Sequence, residues 1–171
     1  RGVLAAPEDL SIELQEHLRS ITTRSTPQTW VPAGEHTYYQ RVSEDGELVI
    51  GRRHTSSAAE VILLDMASER HQNATAKLSW GGPKYNFERT RLGWAVDNTG
   101  SGVFSIKVRD VNSGKLVVDD IQNGHGGFAF DRSGKFLFWV GRDDGGRANG
   151  VWRRDIHQGS ATKCFETDNT S

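Results

Sequence analysis

Short runs of alternating polar and apolar residues, separated by turn residues, characterise the chain from residue 37 onward. Residues 37–42 and 47–54 flank Ser43-Glu44-Asp45-Gly46, and an Asp-Gly pair between two such runs is typical of a β-hairpin. Residues 59–65 predict a third strand, and residues 66–76 predict a polar loop. The pattern therefore predicts most of one four-stranded sheet before residue 66.

The second half of the chain predicts two further groups of four strands. The first group comprises residues 77–85, interrupted by Gly81-Gly82-Pro83, and then residues 92–97, 103–109 and 116–121. The second group comprises residues 126–130, 136–140, 151–156 and 162–166. Both alternating faces of Phe136-Leu137-Phe138-Trp139-Val140 are apolar, which indicates burial on both sides of the sheet. We therefore expect these sheets to stack face to face.

The two groups resemble copies of one unit, because landmark residues recur at a fixed spacing. Trp94 and Trp139 are 45 residues apart (139 − 94), and Asp110 and Asp155 have the same separation (155 − 110). A repeat of about 40 to 50 residues made of short strands is typical of β-propeller blades. Two copies alone leave a β-sandwich as the alternative.

The alignment of the two copies extends to their flanks. Residues 87–94 resemble residues 130–139 with two residues inserted, and residues 102–110 parallel residues 150–155. Asp65 also precedes Asp110 by 45 residues, but it would lie on an outermost strand, so we interpret that spacing as coincidence.

The residues before the strands predict a different structure. Pro7 suits a first helical turn, and Leu10, Leu14 and Leu18 recur every four residues, so residues 7–21 are predicted as a helix with one apolar stripe. Residues 22–35 contain Pro27 and Pro32 among Ser and Thr and are predicted as an extended linker. We therefore expect a mainly β fold, a partial β-propeller of about two and a half to three four-stranded blades. It would occupy residues 36–171, with the helix and linker in residues 1–35.

Composition narrows the classes of partner. The chain has 171 residues, 35% hydrophobic residues and a net charge of −1, which argues against a large nucleic-acid or anionic-membrane surface. No apolar run reaches the roughly 18 residues that span a bilayer. We expect a cytoplasmic protein that binds neither nucleic acid nor membrane. The single Cys164 is predicted as a packed strand residue, and the start at Arg1 indicates a piece of a longer protein.

Three motifs have a functional and a structural interpretation. Gly124-His125-Gly126-Gly127-Phe128-Ala129 partly fits a dinucleotide loop, but such a loop must open a helix, and here a turn with positive φ is favoured. Asp143-Asp144-Gly145-Gly146 lacks the alternating ligands of a calcium loop and is predicted as a solvated hairpin. Arg52-Arg53-His54 and Arg153-Arg154 lie in strands that send neighbours to opposite faces, so neither forms a basic patch. In a propeller some of these side chains could line the channel or meet acids of an adjoining domain, but solvated strand positions are favoured. We predict no catalytic, cofactor-binding or metal-binding residue, and no cofactor.

Five segments carry a further signal when they are taken together and in order. They are Tyr38-Tyr39-Gln40-Arg41, Val61-Ile62-Leu63-Leu64-Asp65, Gly93-Trp94-Ala95-Val96-Asp97, Phe104-Ser105-Ile106-Lys107-Val108-Arg109-Asp110 and Val151-Trp152-Arg153-Arg154-Asp155. Over about residues 10–166 the chain thereby resembles the amino-terminal part of the prolyl oligopeptidase family of serine peptidases, in its oligopeptidase B (protease II) branch. The resemblance implies a seven-bladed propeller that caps an α/β-hydrolase domain and admits only short peptides. It also implies that the amino-terminal helix packs on the hydrolase domain.

The residues depart from the family in lacking the catalytic elements. An α/β-hydrolase serine lies in Gly-x-Ser-x-Gly, and Ser79 comes nearest, but Lys77 stands at the first glycine. We therefore expect a scaffold and access gate that performs no catalysis, with the hydrolase domain, the remaining blades and short peptides as its partners. The alternative is a free-standing propeller-like module that binds a protein. Sheet faces left uncovered predict self-association of the chain.

Overall fold

The computed structural model describes residues 29–57, 59–143 and 145–166. The first of two compact units, which ends at Ala67, contains a four-stranded antiparallel sheet whose strand order follows the chain. Its strands are β1 (Thr29–Ala33), β2 (His36–Val42), β3 (Leu48–His54) and β4 (Glu60–Asp65), which we call the first blade. The predicted hairpin between β2 and β3 is confirmed, with Gly46 at φ +82°.

Two predictions for this region are wrong. Thr29–Ala33 is part of the predicted linker but forms β1. Pro32 is tolerated there because β1 is an edge strand, where a residue without a backbone N–H need not break a hydrogen bond of the sheet. The predicted polar loop begins with a helix, α1 (Met66–Gln72). Asp65 caps α1, because its Oδ1 accepts the N–H of Ala67 at 2.9 Å. The predicted helix over residues 7–21 lies outside the described residues. Apart from β1, the predicted boundary between residues 1–35 and the blades of residues 36–171 stays a prediction.

The second unit, from Ser68 onward, contains the other eight strands in one antiparallel sheet. They are β5 (Lys77–Leu78), β6 (Lys84–Tyr85), β7 (Arg91–Asp97), β8 (Phe104–Asp110), β9 (Leu116–Phe130), β10 (Phe136–Arg142), β11 (Ala148–Asp155) and β12 (Ala161–Glu166). Seven of them follow one path, and β6 lies beside it, paired with β7. Both β5 and β6 pair with β7, so together they form one strand interrupted at the predicted Gly81-Gly82-Pro83.

Strand β9 joins two four-strand sets. Its first half pairs with β8 and its second half with β10, and Gly124 pairs with both Phe104 and Gly141. Asn123 at φ +60° and Gly126 at φ +89° mark this change of partner. The sequence predicted two separate strands here. We call β5–β8 with the first half of β9 the second blade, and the second half of β9 with β10–β12 the third blade.

The 45-residue repeat is confirmed by the pairing register. In β7 and β8 the pairs run from Arg91 with Asp110 to Val96 with Ser105. In β10 and β11 they run from Phe136 with Asp155 to Gly141 with Gly150, so that every pair is shifted by 45 residues. The predicted two-residue insertion is wrong, and Gly150 corresponds to Ser105, not to Gly102.

The core of this unit lies between the second and third blades. Its buried members come from both blades: Ala95, Ile106, Val108, Val118 and Ile121 from the second, and Phe128, Leu137, Trp139 and Ile156 from the third. Gly93 allows this contact, because a Cβ there would lie 2.8 Å from the Phe128 ring. The expected face-to-face stacking is therefore confirmed for these two blades.

Candidate functional site

Ser79 does not form a nucleophile site. It lies between β5 and β6, where its carbonyl accepts the N–H of Gly82 at 3.0 Å in a turn. The residue is only 4% exposed, and its Oγ has no hydrogen-bond partner among the described residues. A nucleophile elbow instead exposes its serine hydroxyl between a strand and a helix. Ser79 is therefore a buried turn residue.

The glycine-rich segment after Asn123 belongs to a strand. Gly124–Ala129 lies within β9, so the strand-turn-helix arrangement of a dinucleotide loop is not formed at this place. The positive φ predicted for this segment occurs at Gly126, where a Cβ would also lie 3.1 Å from the Phe104 ring. These glycines allow the chain to pass from one blade to the next.

The Asp143 segment is a hairpin between β10 and β11, as predicted. The Asp143 Oδ1 accepts the backbone N–H of Arg147 at 2.8 Å, and Gly146 has φ +80°. Within the described ranges, no group of three His, Cys, Asp or Glu side chains is arranged to hold a metal ion.

The basic strand residues separate onto opposite faces, as the alternation predicted. Arg53 lies over the Trp30 ring at 4.8 Å, whereas Arg52 is only 8% exposed, so the solvated position expected for Arg52 is wrong. Arg153 is exposed and lies over the Phe136 ring at 4.9 Å. Cys164 is in β12 but exposed, because β12 is the last strand of its sheet, and the packed position predicted for it is also wrong.

Turns at one end of the second and third blades surround a polar cleft of about 410 Å³. Asp155 Oδ1 accepts the backbone N–H groups of His157 and Gln158, and its Oδ2 lies 3.6 Å from Lys135 Nζ. The hydrogen bond from His157 and the Lys135 charge hold the pKa of Asp155 below its ordinary value. The carboxylate therefore stays charged and shapes the turn, which makes it a structural group.

The face of the third blade that points away from the second blade is apolar and partly open. We call it the open face; its apolar members are Phe136, Phe138, Val140, Val151 and Phe165, and the exposed Arg153 lies on it over the Phe136 ring. Phe165 is 60% exposed. Phe138 and Val140 are the 45-residue equivalents of Gly93 and Ala95, which lie on the face where the second blade contacts the third. The open face therefore occupies the position through which one blade packs on the next.

Two exposed aromatic residues lie in the first strand of the second blade and in the turn that follows it. Trp80 is 84% exposed in the interruption between β5 and β6, and Phe87 is 70% exposed in the turn after β6, under Arg132 at 4.4 Å. Sequence reasoning missed both, since exposure of a single aromatic residue leaves no periodic pattern. The Gly-Gly-Pro that follows Trp80 was the available signal, because it interrupts the strand.

A search of the described residues for an apolar helix of membrane-spanning length finds none.

Comparisons with known proteins give one family. Residues 1–171 match the family model described as "Prolyl oligopeptidase, N-terminal beta-propeller domain". No curated protein sequence matches the chain significantly.

Solved structures show the same fold at low sequence identity. Oligopeptidase B from Leishmania major has a TM-score of 0.71 and 18% identity over 93% of this chain and 23% of its own length. Oligopeptidase B from Trypanosoma brucei has a TM-score of 0.64 and 18% identity over 95% of this chain and 24% of its own length. A post-proline cleaving enzyme from Rickettsia typhi has a TM-score of 0.62 and 10% identity over 91% and 26% of the two chains. This chain thus spans about a quarter of the length of these proteins.

Proposed function

The chain belongs to the prolyl oligopeptidase family as its N-terminal β-propeller domain, and from this premise we propose that it supplies the first blades of a propeller that carries and gates a peptide-cleaving hydrolase domain. Access to that domain would be limited to short peptides that pass the propeller. The chain itself would act as scaffold and gate, in a cytoplasmic protein, and its single cysteine suits a reducing compartment.

The observation that carries this proposal is the open face of the third blade. The second blade uses the equivalent face to pack on the third, and both blades share one pairing register over six residue pairs. A propeller extends by repeating this packing until the ring of blades closes. On the second blade, Gly93 leaves room for the Phe128 and Phe130 rings of the third blade. The open face has Phe138 at the position of Gly93, so it suits a following blade with a recess at that place.

The amino-terminal residues have a separate role in the proposal. Residues 7–21 carry the leucine stripe of Leu10, Leu14 and Leu18, which needs an apolar surface to cover it. We propose that this stripe packs on the hydrolase domain, with residues 1–35 connecting that domain to the propeller. Residues 1–28 precede the described part of the chain, and Thr29–Ala33 belongs to the first blade.

The gene and its full-length product test the proposal. Sequencing beyond the codon for Ser171 should reveal further blade repeats and then a Gly-x-Ser-x-Gly followed by an acid and a histidine. The full-length protein should cleave short fluorogenic peptides, leave folded proteins intact and react with a fluorophosphonate at that serine. A stop codon directly after Ser171 would overturn the proposal and favour a free-standing interaction module.

A further inference from the structure

An arginine on the open face restricts what that face can bind. Arg153 of β11 is exposed, and its guanidinium lies over the Phe136 ring at 4.9 Å. In the register of the sheet it pairs with Phe138 on one side and with Thr162 on the other, so it lies within the open face. An arginine side chain in a protein cannot be deprotonated. The open face is therefore an apolar surface that carries a permanent positive charge.

The charge of Arg153 is not matched by an acid of its own blade. Asp155 and Glu166 are the acidic residues of β10, β11 and β12. Asp155 lies 3.6 Å from Lys135 and also accepts two backbone N–H groups, while Glu166 is paired with Lys163. Among the described residues, no ion pair includes Arg153. The positive charge on the open face is therefore in excess.

The second blade shows what becomes of this position when a blade packs on it. Val108 is the 45-residue equivalent of Arg153 (153 − 108), because Val108 pairs with Gly93 as Arg153 pairs with Phe138. Val108 is completely buried, in the core that the second blade shares with the third. A following blade that packs on the open face in the same way would therefore bury Arg153.

Burial of Arg153 requires a partner of opposite charge. A guanidinium taken out of water is unfavourable unless an acid pairs with it. The third blade covers Val108 with a purely apolar surface, which consists of Phe128, Leu137, Trp139 and Ile156. Such a surface suits a valine, but it would leave a guanidinium without a counter-charge. A surface that covers the open face therefore has to differ from the third blade at the place opposite Arg153.

From these contacts we propose that the surface that packs on the open face is apolar but carries an Asp or Glu whose carboxylate pairs with Arg153. The inference rests on the proposed function, since this surface belongs to the following blade of the same protein. A guanidinium and a carboxylate join through two parallel hydrogen bonds of fixed geometry. The pair thus selects the blade that follows the third and fixes its register, because a blade without the acid would bury an unpaired charge.

A crystal structure of the full-length protein tests the pairing directly. A carboxylate oxygen of a residue beyond Ser171 should lie within about 4 Å of the Arg153 guanidinium. A following blade that covers the open face while Arg153 pairs with Asp155, or points to water, would overturn this inference and leave the proposed function standing. An open face that no blade covers, or that a second copy of the protein covers, would overturn both.

A matched pair of arginine variants of the full-length protein gives a second test. Arg153→Met should lower the thermal unfolding midpoint relative to the unaltered protein, and lower it more at about pH 8 than at about pH 5. The reason is that burial raises the pKa of an acid that has lost its partner, so this acid can be protonated at the lower pH. Equal shifts of the midpoint at the two pH values, or no shift, would overturn the pairing.

Arg132→Met provides the control for this experiment. Arg132 is also exposed and lies over a phenylalanine ring, that of Phe87 at 4.4 Å, but it is in a turn outside the open face. Its substitution removes the same chemical group from the same kind of contact and should shift neither midpoint. A pH-dependent loss of the same size in both variants would show that the effect does not come from the open face and would refute the assignment.

Discussion

The side-chain oxygens of Asn86 and Asp131 perform the same task in two turns that are 45 residues apart (131 − 86). Asn86 Oδ1 accepts the backbone N–H of Arg91 at 2.7 Å, and Asp131 Oδ1 accepts that of Phe136 at 2.8 Å. The turns also touch, because a Cβ on Gly134 would lie 2.3 Å from Asn86 Nδ2. This contact joins equivalent turns of neighbouring blades.

The contact at Gly134 predicts an unequal cost for two glycine substitutions. Gly134 and Gly114 both have φ +71°, but nothing lies within 4 Å of a Cβ on Gly114. Gly114→Ala should therefore cost only the backbone strain of about 1 to 2 kcal/mol. Gly134→Ala should cost about 1 to 3 kcal/mol more, because Asn86 must move. Urea unfolding measures both, and equal losses would show that the turns do not press on each other.

The repeat makes a second prediction for the tryptophans. Trp94 is completely buried and Trp139 is 6% exposed, at equivalent positions of β7 and β10, so each Trp→Ala change should cost about 3 to 5 kcal/mol. Trp30 is 37% exposed on edge strand β1, and its loss should cost about 1 kcal/mol. Thermal or urea unfolding decides, and three equal small losses would contradict the shared role of Trp94 and Trp139.

Local pattern predicted most of the strands because alternation and turn residues report directly on half-buried strands. Pro32 was misinterpreted because proline is tolerated on an edge strand, and edge position depends on pairing that local sequence does not encode. Helix α1 has only Met66 buried, so it lacks the stripe that identifies a helix. A cavity of about 290 Å³ is lined by Ile121, Trp139, Trp152 and Ala161, which come from four different strands, and no spacing in the sequence signals it.

A third prediction concerns acid stability. Burial would raise the pKa of Asp110, but hydrogen bonds from Ser113 and Asn112 and the Arg91 charge hold it below the ordinary 3.8. The unfolded chain therefore binds the proton at higher pH than the folded chain does. The stabilisation is present above about pH 4 and is lost as pH falls through the lowered folded pKa. Asp110→Asn should flatten this fall in unfolding free energy, measured in urea from about pH 6 to about pH 2.

Asp119→Asn provides the control for the acid experiment, because Asp119 is exposed on the first half of β9. Its pH profile should match that of the unaltered chain. An Asp110→Asn profile that also matches would show that Asp110 does not contribute to acid sensitivity.

A fourth prediction concerns catalysis by residues 1–171 alone. Ser79 is the serine nearest to a nucleophile motif, and it is buried in a turn. The chain should release no fluorophore from proline or arginine peptide substrates and should take up no fluorophosphonate. Mass spectrometry of the treated protein provides the measurement. Stoichiometric modification of any serine would contradict the assignment of scaffold and gate.

The fifth prediction is that the chain of residues 1–171 associates with itself through the open face. Apolar surfaces of more than a few hundred Å² normally find a partner, and Phe165 lies 60% exposed on this face beside Val151. Phe165→Lys should therefore reduce association, whereas Phe87→Lys should not, because Phe87 is 70% exposed in the turn after β6 and away from the open face. Light scattering after size exclusion over about a hundredfold range of concentration gives the mass. A constant mass near 19.0 kDa with cooperative unfolding would mean that the chain needs no further blade, and the proposed role as part of a larger propeller would then be wrong.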